Sequence, residues 1–290
     1  MSTATLEAKP AATEPNADRL TIETPQTGLV TPPAPSAAEA RAGDEATPLP
    51  PVPFLGLPTF QQDGNGAKAE NTPLNLREIR RDNRVRVYIA KGNEQMQAIG
   101  YTEHGHRHAG IVATIARSIL TSLGHAERTA ELAAIAGYLH DIGCVINRRG
   151  HVEAGALISF SILSDLGMPP LEIAEVVGAV GNHEEPDGVP INPVAAAVII
   201  ADKSDVHYSR VQNTSPKDYD IHDRVNGSVK KSFLRVDPET KRIRLELEID
   251  TDIASVMEYF EIFITRMALC RKAADKLGCT YRVSINGHDV

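Results

Sequence analysis

Cysteine is scarce in this chain of 290 residues. There are three, Cys144, Cys270 and Cys279, an odd number with no CxxC spacing. That argues against a disulfide framework and for a reducing, cytoplasmic setting. Long apolar runs are missing too. Stretches such as 193–201 fall far short of the ~20 residues a membrane span needs, so no membrane partner is expected. The N-terminus lacks a basic start followed by an apolar core, the mark of a secretory signal. Basic residues are outnumbered, 30 Lys and Arg against 38 Asp and Glu, for a net charge of −8. That balance disfavours a broad surface for long nucleic acid, but it leaves room for a local cationic pocket.

What the chain does hold is unevenly spread. The first 60 residues carry 11 of the 19 prolines. They have few large apolar residues and neither helical nor strand periodicity, so residues 1–71 read as a disordered Pro/Ala-rich tail. Glu7, Glu14 and Glu23 fit poorly with an acid-poor transit sequence. The stretch 76–99 is helix-compatible and basic at its start, and the segment 105–208 is helical almost throughout. Ile111, Val112, Ile115, Ile119, Leu120 and Leu123 repeat at helix spacing, with Gly124 as a stop. Further helices are expected at about 132–139, 152–166, 171–180 and 193–207, with Pro193 near the start of the last.

Beyond Pro216 the pattern changes. Ile243, Leu245, Leu247 and Ile249 alternate with charged residues, as in a half-buried strand. A hairpin partner is expected near Phe233 and Arg235. A long helix capped by Thr251 or Asp252 should run to Leu277, and a last strand should hold Tyr281, Val283 and Ile285. The expected fold is mainly α, with a helical core at 72–215 and a small β-β-α-β subdomain at 216–290. The apolar surface of the long helix is expected to pack on the sheet, with homodimerisation through this subdomain as the alternative.

The chemistry lies in the histidines. His140-Asp141 closes an apolar helix, offering an imidazole and a carboxylate to a single point. His108 precedes it on the previous helix, with Val112 four residues on and so on the same face. His151 starts the next helix, His183 ends the one after, and Asp202 falls in the fifth. A helical bundle can point such groups into one cavity. Four His and two Asp suit a two-metal site with N/O ligands. Mn, Fe or Co are favoured, and Zn or Mg also fit. Helix phase and the spacing to His140 favour His108 over His104 and His106. His125, His207 and His222 have no spacing argument behind them.

The order His108, His140-Asp141, His151, His183, Asp202 resembles the HD-domain superfamily of metal-dependent phosphohydrolases. Three strings carry the resemblance: YLHDIG at 138–143, HVEAGA at 151–156 and ADKSDV at 201–206. It implies an HD-type helical fold and hydrolysis of phosphate esters or anhydrides. It also implies that the six residues are ligands and that Asp141 bridges two metals as the catalytic carboxylate. The string HEEPDG at 183–188 is similar to that of the cyclic di-GMP phosphodiesterases of the HD-GYP type. Three departures separate this chain from them: Asn182 in place of a second His, Cys144 in place of a Lys, and Val189-Pro190-Ile191 in place of Gly-Tyr-Pro.

The expected activity is therefore hydrolysis of a small nucleotide or other phosphorylated metabolite by water activated at a di-metal centre. Arg148 and Arg149, on the loop between ligands, and Lys203, beside Asp202, are the candidate phosphate-binding cations; Arg210 is another. Cys144 is expected to be a small buried residue. Two other readings share the ligand set: an HD-fold di-iron oxygenase, and a non-catalytic metal- or nucleotide-binding sensor. Deleting residues 1–71 is expected to leave folding and metal content intact; a large fall in Tm on truncation would refute the reading of that segment.

Overall fold

A computed structural model describes residues 73–215 and 219–290, which belong to one compact unit. The tail expected at 1–71 lies outside the described residues, and the boundary expected at 215/216 adjoins a second undescribed segment, 216–218.

The helical part runs α1 Leu76–Ile79, α2 Asn83–Ala98, α3 His106–Ser122, α4 Glu127–Leu139, α5 His151–Asp165, α6 Pro170–Gly181 and α7 Pro193–Ser204. The stretch read as one helix is two. The Asp82 side chain accepts hydrogen bonds from the backbone N–H groups of Arg84 and Val85, so a fresh helix is capped at 82. The helix expected to reach His207 stops at Ser204, and the chain turns at Asp205.

Two helices form the centre. On α4 every residue from Leu132 to Leu139 is buried, and on α7 Val194 to Ala201 are all fully buried. A helix apolar on all sides is a core helix, and the others pack around these two. Close approach of α3 to α4 is set at Gly137, where a Cβ would lie 3.1 Å from the Ala113 backbone. Gly150, Gly124 and Gly167 adopt positive φ where helices begin or end, as glycine does at such turns.

The C-terminal part adds α8 Ile221–Ser228, β1 Val229–Asp237, β2 Arg242–Ile249, α9 Val256–Lys276, β3 Thr280–Ile285 and β4 His288–Asp289. The sheet order is β1-β2-β3-β4. β1 and β2 form the expected hairpin, closed where Asp237 accepts from the N–H groups of Glu239 and Thr240. β2 pairs with β3 in parallel after the α9 crossover. The expected β-β-α-β order is present, with two short elements added. α8 has eight residues, too few to display a period, and β4 follows an Asn286-Gly287 turn with positive φ at both positions. The cap of α9 is Ser255 rather than Thr251 or Asp252, because Ser255 and Glu258 form a reciprocal capping box.

Ile243, Leu245, Leu247 and Ile249 bury one face of the sheet, and α9 packs between that face and α7 through Tyr259, Phe263, Met267 and Cys270. Among the described residues no helix is long and apolar enough to cross a membrane. All three cysteines are free and buried.

One interlock ties the turn after α4 to the start of α5. A Cβ on Gly143 would meet the His151 carbonyl oxygen at 2.0 Å and the Gly155 nitrogen at 2.5 Å. A Cβ on Gly155 would in turn sit 3.3 Å from the His140 carbonyl. Gly143→Ala is therefore expected to destabilise the fold by about 3 kcal/mol or more. Gly110→Ala, in the interior of α3 with open space at its Cβ, should be neutral or stabilising by about 0.5–1 kcal/mol. Urea unfolding of the two variants checks the contrast, and equal midpoints would refute it.

Candidate metal centre

The six candidate ligands come from five separate places in the chain. His108 lies in the first turn of α3, and His140 caps the C-terminal end of α4. Asp141 opens the short 3-10 turn 142–145, and His151 is the first residue of α5. His183 follows the C-cap of α6, and Asp202 sits in the last turn of α7. The structure brings all six together, with the four imidazoles almost fully buried.

They fall into two groups that share one carboxylate. In the first, His108 Nε2 lies 3.2 Å from His140 Nε2 and 3.2 Å from Asp202 Oδ1, and His140 Nε2 lies 3.0 Å from Asp141 Oδ2. In the second, Asp141 Oδ1 lies 3.3 Å from His151 Nε2 and 3.7 Å from His183 Nε2, which are 3.4 Å apart. The second group has a fourth donor, Glu184, whose Oε2 is 2.9 Å from His151 Nε2. Glu184 was not among the sequence candidates. The sequence held one local signal for it, a carboxylate directly after His183.

The far side of each imidazole decides what the near side can do. His140 Nδ1 donates to the Gly137 carbonyl at 2.8 Å, His151 Nδ1 to the Arg148 carbonyl at 2.9 Å, and His183 Nδ1 to the Val180 carbonyl at 2.7 Å. His108 Nδ1 donates to Asp205 Oδ2 at 2.7 Å. Carbonyls and carboxylates only accept, so each Nδ1 carries a proton and each ring turns its Nε2 inward. Nε2 atoms and carboxylate oxygens then converge at 2.9–3.7 Å. Ligands about 2.1 Å from one ion stand about 3.0–3.4 Å apart in tetrahedral or octahedral geometry. The donor set thus fits a divalent cation in each group. His/Asp/Glu clusters with ligand atoms within 4.8 Å of one another occur at both.

The electrostatics agree. Burial opposes ionisation of Asp141, but the charges and hydrogen bonds of His140 and His151 hold its carboxyl well below the usual range. Asp202 is likewise held low, against burial, by Lys203 and by hydrogen bonds from His108 and His140. Burial pulls His140 down, yet the Asp141 and Asp202 carboxylates raise it to about 10; the same contest, with Asp141 and Glu184, lifts His151 to about 9. The centre is a buried anionic point that stabilises positive charge.

The other candidates divide. Lys203 is buried, with Nζ 2.6 Å from Asp202 Oδ2 and 3.3 Å from Glu185 Oε2. Arg148 is at the centre's edge, but its two Nη groups are closed on the Glu184 carboxylate and its guanidinium lies over the Tyr101 ring. Arg149 is exposed, on the outer side of the loop. Arg210 donates to the carbonyls of Glu103 and Asp205. Cys144 is buried 4.0 Å from Asp141 Oδ1, its thiol raised by burial. His106 bonds Tyr138 and the Arg86 carbonyl, and His207 bonds Ser209 and the Lys230 carbonyl, both away from the centre. His104 stands beside His108, ring centroids 5.9 Å apart, and is lowered to about 3 mainly by burial.

Asp141, Glu184 and Asp202 form the floor of a cavity of about 390 Å³. Its walls include Tyr101 and His104 before α3, Asp220, His222 and Asn226 around α8, and Phe263 and Arg266 on α9. The C-terminal part, which carries no catalytic pattern in sequence, therefore supplies a wall of the site.

Residues 105–206 match the family model described as the HD domain, a span containing every candidate ligand. An uncharacterized protein of Methanocaldococcus jannaschii is 25% identical over 209 residues, 64% of this chain and 79% of the relative.

Asp205 also receives Arg107 Nη2 at 3.0 Å and anchors the far side of His108. Asp205→Ala is expected to weaken metal binding about 10–100-fold in the His108 group. The group around His151 should be affected less. Two-phase Mn²⁺ titration reads this, and equal weakening of both phases would refute it.

Proposed function

We propose that this chain, whose residues 105–206 match the HD-domain family model, hydrolyses a phosphate ester or anhydride in a small nucleotide or similar metabolite at a two-metal centre, the chemistry that its resemblance to the HD metal-dependent phosphohydrolases implies. The observation that carries this is the convergence of N/O donors on the Asp141 carboxylate, His140 and His108 toward Oδ2 and His151 and His183 toward Oδ1. His108, His140, Asp141 and Asp202 would hold one ion, and Asp141, His151, His183 and Glu184 the other. Such ions supply Lewis acidity and lower the pKa of water to about 7.

The chain's own residues do the rest. Asp141 keeps the two ligand groups in fixed register, because each oxygen is committed to one group. The Nδ1 bonds to backbone carbonyls hold the rings so that they need not reorganise during the reaction. Lys203, buried beside Asp202, places an ammonium where negative charge develops on a phosphoryl oxygen. Arg148 holds Glu184 by a two-point contact and orients it toward His151. The enclosing walls suit a compound of nucleotide size rather than a polymer. The departures at Asn182, Cys144 and Val189-Pro190-Ile191 argue against cyclic di-GMP as that compound.

Purified protein is expected to bind close to two divalent transition-metal ions per chain, and Asp141→Ala to lose metal, hydrolysis and thermal stability together. Elemental analysis checks this; full metal content in Asp141→Ala would refute the bridge. A panel of mono-, di- and cyclic nucleotides with Mn²⁺ tests the reaction, with His140→Ala as the blank. Hydrolysis of a small nucleotide supports the proposal. Loaded protein that turns over no phosphate compound, or cyclic di-GMP above all others, would overturn it.

A further inference from the structure

Four cations line the cavity, and their hydrogen-bonding capacity is unequally committed. Arg148 closes both Nη groups on Glu184. Arg210 gives Nε and Nη2 to the Glu103 carbonyl and Nη1 to that of Asp205. Lys203 is held between Asp202 and Glu185. Arg266, from the middle of α9, is different. Its Nε donates to Glu185 Oε1 at 2.9 Å, and among the described residues neither Nη group has a hydrogen-bond partner.

The Arg266 guanidinium is nonetheless fixed. Its central carbon lies 4.8 Å from the Phe263 ring centroid, and Glu185 holds its edge. A planar fork on a cavity-lining residue, anchored through Nε and with both Nη groups uncommitted among the described residues, matches the oxygens of a phosphate. Glu185 is also the carboxylate that Lys203 approaches at 3.3 Å, and Lys203 is 2.6 Å from Asp202. Arg266 is thus linked to the metal centre through a single relay of side chains. Glu185 is thus shared by Lys203 and Arg266, which leaves the Nη edge of Arg266 uncommitted.

We propose that Arg266, contributed by α9 from outside residues 105–206, is a substrate-binding residue that grips the non-bridging oxygens of the substrate's phosphate through its two Nη groups. The inference rests on the phosphohydrolase reading and goes beyond it. It makes the C-terminal part a component of the active site, and it moves the phosphate fork from the loop arginines to α9.

The test uses the full chain loaded with Mn²⁺. Inorganic phosphate is titrated by calorimetry, hydrolysis of 4-nitrophenyl phosphate is followed, and metal content and Tm are recorded alongside. Arg266→Gln is expected to keep its metal and Tm, to weaken phosphate binding about ten-fold or more, and to raise KM more than it lowers kcat. Arg266→Lys, which keeps charge without the fork, should recover part of the loss. Wild-type phosphate affinity in Arg266→Gln would overturn the proposal while leaving the hydrolase reading intact. If Arg266→Gln melts early, Arg266→Lys decides, and wild-type affinity in that variant overturns it. A loaded wild type that neither binds phosphate nor hydrolyses any member of the panel would remove the hydrolase reading and this inference with it.

Discussion

The structure depends on one carboxylate. Asp141 turns Oδ2 toward His140 and Oδ1 toward His151 and His183. A carboxylate among four buried imidazoles is costly to place in a protein interior unless positive charge compensates it. Everything around it is arranged to supply or attract that charge. Rings are locked in the tautomer that presents Nε2 inward, Lys203 leans on Asp202, and Arg148 closes on Glu184. Removal of either oxygen of Asp141 would leave one ligand group without its link to the other.

That electrostatic point is held by packing that has little to do with charge. Residues 132–139 of α4 and 194–201 of α7 are buried and almost wholly apolar, and their burial fixes the directions in which His140 and Asp202 emerge. The glycines at 143 and 155 then let the turn after α4 press against the start of α5, so His140-Asp141 and His151 reach the same place. The ligands thus cluster at helix ends and first or last turns, where a side chain can leave one apolar core and enter a polar cavity.

Two consecutive glutamates show how one loop serves both sides of the cavity. Glu184 lies against His151 and is gripped by Arg148; Glu185 is shared by Lys203 and Arg266. Through that second contact the α9 helix, packed on the sheet by its other residues, reaches the cavity wall. The C-terminal hairpin and crossover helix are in this sense part of the site's construction, not only a cover for the helical core.

Much of this was legible in the residues alone. Helix periods, stop glycines and the alternating strand at 242–249 are local signals, written within a dozen residues. The six donors stood at helix ends where chemistry and position agree. What sequence could not decide were the relations between distant segments. The split of the donors into two groups depends on which oxygen of Asp141 points where. Glu184 joins the second group only because α5 and the end of α6 are brought together. Arg149 is adjacent to Arg148 yet turns outward, and Arg266, some 60 residues beyond Asp202, turns in. Residue type and local period set which groups can act. Only the packing of one helix on another sets the directions of their lone pairs and forks, and over a few ångströms that direction decides whether a side chain is a ligand, a support or a surface charge.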